Sequence, residues 1–281
     1  MKTRIISGIC VGLIGGIVIW CGGMVMDITI LLMAAMSLFE FYRAFEQKQV
    51  HAMWPAGLLF ILLLGGCIFF GDNTPFTITA TIRGTEHNLF PPLLLLIFLL
   101  ILALFVVCHK KYTVGDGAIT LLGGMYIVIL ISYFSLLRNM KSGLWLFLLA
   151  LIGAVAADTC AFFTGRALGR KKLIPEVSPN KTIAGSIGAF VGTPVILVVY
   201  GIILQAAGVY SDLALWHYAV IGLLAGGAAQ VGDLTASAIK RYAGVKDFGK
   251  IIPGHGGILD RIDSYLYVIP IIYYYIVLLG R

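Results

Sequence analysis

Charge is what this chain has least of: Asp, Glu, Lys and Arg make up 12% of its 281 residues, against roughly 25% in an average soluble protein. With 60% hydrophobic residues and a mean hydropathy of +0.99, a water-soluble fold would expose large apolar patches. Lipid is the solvent this composition suits. Cysteine excludes more: Cys10, Cys21, Cys67, Cys108 and Cys160 are scattered through apolar segments with no C-x-x-C pair, so neither a zinc cluster nor a disulfide framework is indicated. A G-x-x-x-x-G-K-[ST] loop is missing, which removes the P-loop class. No Ser-His-Asp or Cys-His spacing points to nucleophilic hydrolysis, and no internal repeat suggests an inverted-repeat transporter.

Apolar runs near or above roughly 18 residues, the length that spans a bilayer, fill the chain. Nine spans are expected, at 4–22, 25–42, 54–71, 89–108, 115–136, 143–164, 184–207, 215–239 and 261–280. The fold class is all-α, a polytopic helical bundle forming a single membrane domain over 1–281, with N-terminal spans in 1–142 and catalytic spans and cytoplasmic loops in 143–281. The first run has a basic flank but no convincing small-residue cleavage site, so it is expected to remain as a helix. Orientation follows from the basic residues. With the N-terminus inside and the C-terminus outside, only Arg83, Arg138, Lys141 and Arg281 of the 20 Lys and Arg face outward. The net charge of +7 then reflects cytoplasmic loops that meet anionic head groups and an anionic substrate, and nucleic acid is not expected.

The charges that do exist are concentrated. Between Ser237 and Asp263 lie Lys240, Arg241, Lys246, Lys250 and Arg261, with Asp247, Asp260, Asp263 and His255. Asp233, Ser237, Lys240 and Arg241 fall at i, i+4, i+7 and i+8, one stripe of a helix. That stripe can offer carboxylate oxygen to a hard cation and cations to phosphate; internal pairing between helices is the plain alternative. Asp233 and Lys240 sit two turns apart and cannot easily neutralise each other. The loop Pro253–Gly257, with Gly256 and Gly257, allows backbone N–H groups to approach an anion. His255 can donate to phosphate or serve structure. Asp260 and Asp263, at i and i+3 of a starting helix, are expected to share a face that could hold Mg²⁺; capping the helix would explain them equally. Lys246 and Asp247 precede the loop.

A third group runs from Ala157 to Thr182. Asp158 lies inside the sixth span, where an acidic residue is by default functional. Ser178, Lys181 and Thr182 follow Pro175 and Pro179 and point to phosphate contact, while Lys171 and Lys172 suit ordinary anchoring at the inner surface. Oxygen ligands with many cations suit magnesium, with room for a second metal ion, and a polyphosphate rather than zinc. The metal set expected is Asp233, Asp247, Asp260 and Asp263.

The run S-A-I-K-R, four residues, then K-D-F-G-K-I-I-P-G-H-G-G-I-L-D-R-I-D from Ser237 to Asp263 resembles the signature of the CDP-diacylglycerol synthases, the phosphatidate cytidylyltransferases. Q-V-G-D-L at Gln230–Leu234 and D-T-C-A-F-F-T-G-R through S-P-N-K-T at Asp158–Thr182 extend it. One departure is Ala184, where that family usually carries an acidic or amide side chain. The resemblance implies conversion of CTP and phosphatidate into CDP-diacylglycerol and pyrophosphate for phospholipid synthesis, in a bacterial cytoplasmic membrane. Asp233, Asp247, Asp260, Asp263, Lys240 and Arg261 would be catalytic. Asp158, Ser178, Lys181, Thr182, Ser237, Arg241, Lys246, His255, Gly256 and Gly257 would hold substrate. A homodimer is left open. A CTP-dependent lipid kinase would transfer the γ-phosphate instead, and a secondary transporter would use Asp158 and Asp233 as coupling-ion sites. A CDP-alcohol phosphotransferase does not fit the spacing of Gly257, Asp260 and Asp263.

Overall fold

The computed structural model of the chain describes residues 2–70, 78–82, 85–210, 212–254 and 256–280. It is helical nearly throughout, and its contacts divide into two compact units, 1–140 with 243–261 and 141–242 with 262–281.

In the first unit, α1 (Lys2–Cys21), α2 (Gly23–Phe45), α3 (Trp54–Phe70) and α4 (Phe90–Val107) are followed by α5 (Val114–Gly123) and α6 (Leu130–Asn139). A short antiparallel hairpin, β1 (Thr79–Ile82) and β2 (Thr85–Asn88), joins α3 to α4. Local chemistry sets the ends. Thr113 and Asp116 form a reciprocal capping box at the start of α5, satisfying backbone N–H groups that a helix start leaves unpaired. A wider π-helical turn, Gly124–Ile129, joins α5 to α6, so 114–139 reads as one apolar helix of 26 residues. The core is aromatic: Phe41, Tyr42, Phe45 and Phe60 are fully enclosed. The Tyr42 hydroxyl donates to the Thr120 carbonyl at 2.9 Å, and Asp116 accepts the His51 N–H at 2.5 Å. Leu13, Ile14, Leu32, Leu58 and Leu62 face outward. That inside-out distribution is stable only against hydrocarbon.

The second unit contains α7 (Gly143–Leu168), the antiparallel pair β3 (Lys172–Ile174) and β4 (Ser178–Thr182), and α8 (Ile183–Ala206). Its remaining helices are α9 (Leu215–Ala243), which ends at the unit's border, and α11 (Tyr265–Leu278). A four-residue helix, α10 (Leu259–Ile262), precedes α11 in the chain. Small residues let α7 and α8 approach closely, with Gly188 against Thr164 and Gly192 against Cys160, as membrane helices commonly do. Pro194 and Pro270 sit inside α8 and α11, each removing a backbone donor. Gln230 returns its amide to the Gly226 carbonyl at 2.9 Å.

Six helices among the described residues are long and apolar enough to cross a membrane, and Val11–Cys21, Trp54–Phe69 and Tyr265–Leu278 are shorter apolar helices. The chain is therefore an all-α membrane protein. The expected ninth span, 261–280, is interrupted: α10 ends at Ile262, Asp263 and Ser264 form a turn, and α11 has 14 residues. At 1.5 Å per residue it measures about 21 Å against a hydrocarbon core of about 30 Å. The charge and hydroxyl of Asp263 and Ser264 break the apolar run.

Candidate active site

Within the second unit, elements distant in sequence supply the acids and cations, and Lys181 and Asp233 meet directly. Asp158 comes from α7, Lys181 and Thr182 from β4, and Asp233, Ser237, Lys240 and Arg241 from α9. Asp263 comes from the turn before α11. Lys181 Nζ stands 2.5 Å from Asp233 Oδ2, the two side chains 23% and 32% exposed. So Asp233 is matched by a lysine 52 positions earlier rather than by its own stripe. Ser237 approaches Asp233 Oδ1 at 3.5 Å. Thr182 has a local duty, capping α8 by accepting the Gly185 N–H at 3.1 Å.

An open cleft of about 500 Å³ is lined by Asp158, Arg166, Lys172, Asn180, Lys181, Thr182, Gln230 and Asp233, among others. Ser178 begins β4, paired with Ile174. Asp263 is buried, and its Oδ1 accepts the Ser264 N–H at 2.7 Å. Burial pushes its carboxyl up to about 7 and the Asp233 charge adds to that, while Lys240 opposes it. Neighbouring carboxylates that repel one another gain from a cation among them.

In the first unit the loop after α9 is folded around a bridge in which the Ile252 N–H donates to the Gly256 carbonyl at 2.9 Å. Gly254 and Gly256 hold φ of 77° and 88°, a left-handed backbone that glycine adopts without steric cost. Lys246, Asp247, Lys250 and Arg261 are exposed and, with Gly249, Gly254 and Gly256, line a cleft of about 560 Å³. Asp260 is buried, and its Oδ2 accepts the N–H of Phe248 at 2.9 Å and of Gly257 at 3.0 Å. The Gly257 donor expected to meet an anion is thus given to Asp260. His255 lies outside the described residues.

The expected metal set is drawn from both units, Asp233 and Asp263 from one and Asp247 and Asp260 from the other. Asp260 and Asp263 do not share a helix face, because α10 stops between them. Among the described residues no three His, Cys, Asp or Glu side chains form a group able to hold a metal by themselves. Mg²⁺ does not need one, since it is commonly held by one or two carboxylates, water and substrate phosphates. The donors near Asp233 are hard oxygens, and a lysine cation already rests on that carboxylate. The chemistry of the donors fits magnesium. One residue escaped the sequence reading: Glu40, buried in α2, accepts backbone N–H groups of Ile258 and Leu259. An acid inside an apolar run is the same signal that singled out Asp158.

Comparison with known proteins covers the chain almost completely. A family model described as the cytidylyltransferase family matches residues 2–279. A phosphatidate cytidylyltransferase of Bacillus subtilis (strain 168) is 34% identical over 279 residues, 99% of this chain and 98% of the relative. One from Staphylococcus saprophyticus is 35% identical over 62% of this chain and 64% of its own length. Another from Synechocystis is 43% identical over 50% of this chain and 46% of its own length.

Proposed function

The chain belongs to the cytidylyltransferase family and converts CTP and phosphatidate into CDP-diacylglycerol and pyrophosphate, and we propose that it does so by magnesium-dependent nucleotidyl transfer at a cytoplasm-facing membrane site. A phosphate oxygen of phosphatidate attacks the α-phosphorus of CTP. The bond from that phosphorus to the α–β bridging oxygen breaks, and pyrophosphate leaves with the electron pair. The nucleophile is already anionic, so no covalent enzyme intermediate is needed, and the barrier is the meeting of two anions.

In this scheme Lys240, Arg241 and Arg261 neutralise substrate phosphates and the leaving pyrophosphate. The planar fork of each arginine suits two phosphate oxygens at once. Lys246, Lys181, Ser178 and Thr182 orient the nucleotide. Of the acids proposed to meet magnesium, Asp233 and Asp263 belong to the second unit and Asp247 and Asp260 to the first; the ion, when bound, supplies Lewis-acid stabilisation of the charge on the transferred phosphoryl group. Asp260 contributes to this set from a carboxylate whose Oδ2 already holds the loop. The observation that carries the reading is the Lys181–Asp233 pair in the cleft beside Asp158: positive charge is seated on one of the expected oxygen ligands. The bacterial relatives and the apolar helices support an integral protein of a bacterial membrane. Nine spans, with the N-terminus inside and the C-terminus outside, would put both basic loops on the cytoplasmic side, where CTP is.

The test is to supply purified protein with CTP and phosphatidate and to titrate Mg²⁺ against a chelator. Pyrophosphate and liponucleotide should rise together with the metal. Undiminished turnover in excess chelator would refute the metal assignment while leaving the reaction intact.

A further inference from the structure

Glu40 takes no part in the scheme above, yet it is one of the most enclosed ionisable groups in the chain, 2% exposed within α2. A carboxylate in an apolar helix is costly to hold unless donors meet it. Its donors come from a segment 218 and 219 residues away: the Ile258 N–H meets Oε1 at 3.1 Å and the Leu259 N–H meets Oε2 at 3.0 Å. Gly249 and Gly257 lie against the same carboxylate, where a Cβ on either would overlap it. From its other side the loop is held by Asp260, which takes the N–H groups of Phe248 and Gly257. Phe248 also packs on Phe41, the residue after Glu40, with ring centroids 6.0 Å apart.

Two buried carboxylates therefore collect four backbone N–H groups, from Phe248, Gly257, Ile258 and Leu259, and fix the loop at both ends. What the loop presents outward is the cleft of Lys246, Lys250 and Arg261. We propose that Glu40 is a positioning residue: it sets the spacing of the cations in that loop by gripping the loop's backbone from inside α2. The inference rests on the assignment of this loop to substrate phosphate. A staple that served stability alone would be satisfied by any packing that kept the helices together. A positioning residue must also set how the loop meets nucleotide.

Glu40→Gln keeps the shape, but its amide nitrogen faces one of the two N–H donors. Gly249→Ala presses on the carboxylate from the loop side and leaves Glu40 intact. Asp27→Asn serves as a control, because Asp27 lies on the same helix and pairs with Ser135. Hydrogen–deuterium exchange of residues 246–261 and steady-state kinetics with CTP, Mg²⁺ and phosphatidate are measured on the full-length protein in detergent. Glu40→Gln and Gly249→Ala should each speed exchange in the loop by about tenfold. They should also raise KM for CTP and lower kcat/KM by about tenfold, while Asp27→Asn alters neither. Exchange unchanged in both variants overturns the proposal, and so does a loosened loop with kcat/KM within about twofold of the parent. If one variant fails to fold, the other decides by the same criteria. If CTP gives the parent loop no protection while the kinetics follow Glu40 as expected, the phosphate assignment falls and the positioning role stands.

Discussion

Replacing Asp233 with Asn removes one charge and almost no volume, and the structure sets what that should cost. Lys181 would be left beside a neutral amide, in a cleft where the two side chains are 23% and 32% exposed. Solvent-exposed pairs contribute about 0–1 kcal/mol, and stranding one partner of a fully buried pair costs about 3–5 kcal/mol. This intermediate exposure places the stability loss at about 1–2 kcal/mol, small beside the roughly 5–15 kcal/mol that keeps a domain folded. The chemical loss is of another size. Removing a preorganised electrostatic partner from a transition state costs about 10²–10³ in kcat, or about 2.7–4 kcal/mol. Asp233→Asn should therefore purify normally, melt slightly lower and turn over at least about a hundredfold more slowly. The double variant Lys181→Met with Asp233→Asn isolates the stability effect, because no unpaired charge remains, and Lys181→Met alone shows what loss of that cation does to turnover. The double variant's melting temperature should return to within about 2 °C of the parent, and its activity should not return. Assays would follow pyrophosphate release at saturating CTP, with melting measured in the same detergent. If activity recovers together with stability in the double variant, Asp233 is only a structural partner of Lys181, and the metal and charge argument fails.

Arg261→Lys keeps the charge but loses the fork, so kcat/KM should fall by about tenfold or more; equally mild effects from every Lys and Arg change in the region would indicate general surface electrostatics instead. For topology, Gln47→Cys, Glu86→Cys, Lys172→Cys and Lys250→Cys in a cysteine-free background are probed on intact cells with an impermeant thiol reagent. Only the variant at 86 should label from outside, and labelling at 172 or 250 would cut the site off from CTP. Asp263 titrates near 7 when folded and near 3.9 when unfolded, so the native state binds the extra proton between those values. Stability in chelator should then fall as pH rises from about 4 to 7, and Asp263→Asn should flatten that slope; an unchanged slope refutes the assignment.

The helices were legible because a bilayer imposes a length and a composition that a hydropathy run records directly. Expected limits such as 184–207 and 143–164 lie close to α8, Ile183–Ala206, and within α7, Gly143–Leu168. The last run hides a break, because hydropathy averages over it: two polar residues, Asp263 and Ser264, end one helix before another begins. Helical spacing likewise gathered Asp233, Ser237, Lys240 and Arg241 on α9, since that rule is local.

Partners across the chain are another matter. Nothing in the periodicity of α9 says that Asp233 meets Lys181, and nothing in the glycine loop says that Glu40 will receive its amides. Both pairings depend on how separate segments pack. What the sequence does hold is the demand for a partner. An acid embedded in an apolar run, such as Glu40, must find donors or a cation, and a loop with glycines at 249, 254, 256 and 257 must leave room for something. Together those two demands direct attention to α2. The strongest clue to a membrane site is therefore the charge that its own segment cannot neutralise. Asp158, Asp233 and Glu40 all meet that criterion. Two of them line the cleft proposed for chemistry, and the third grips the loop proposed to meet phosphate.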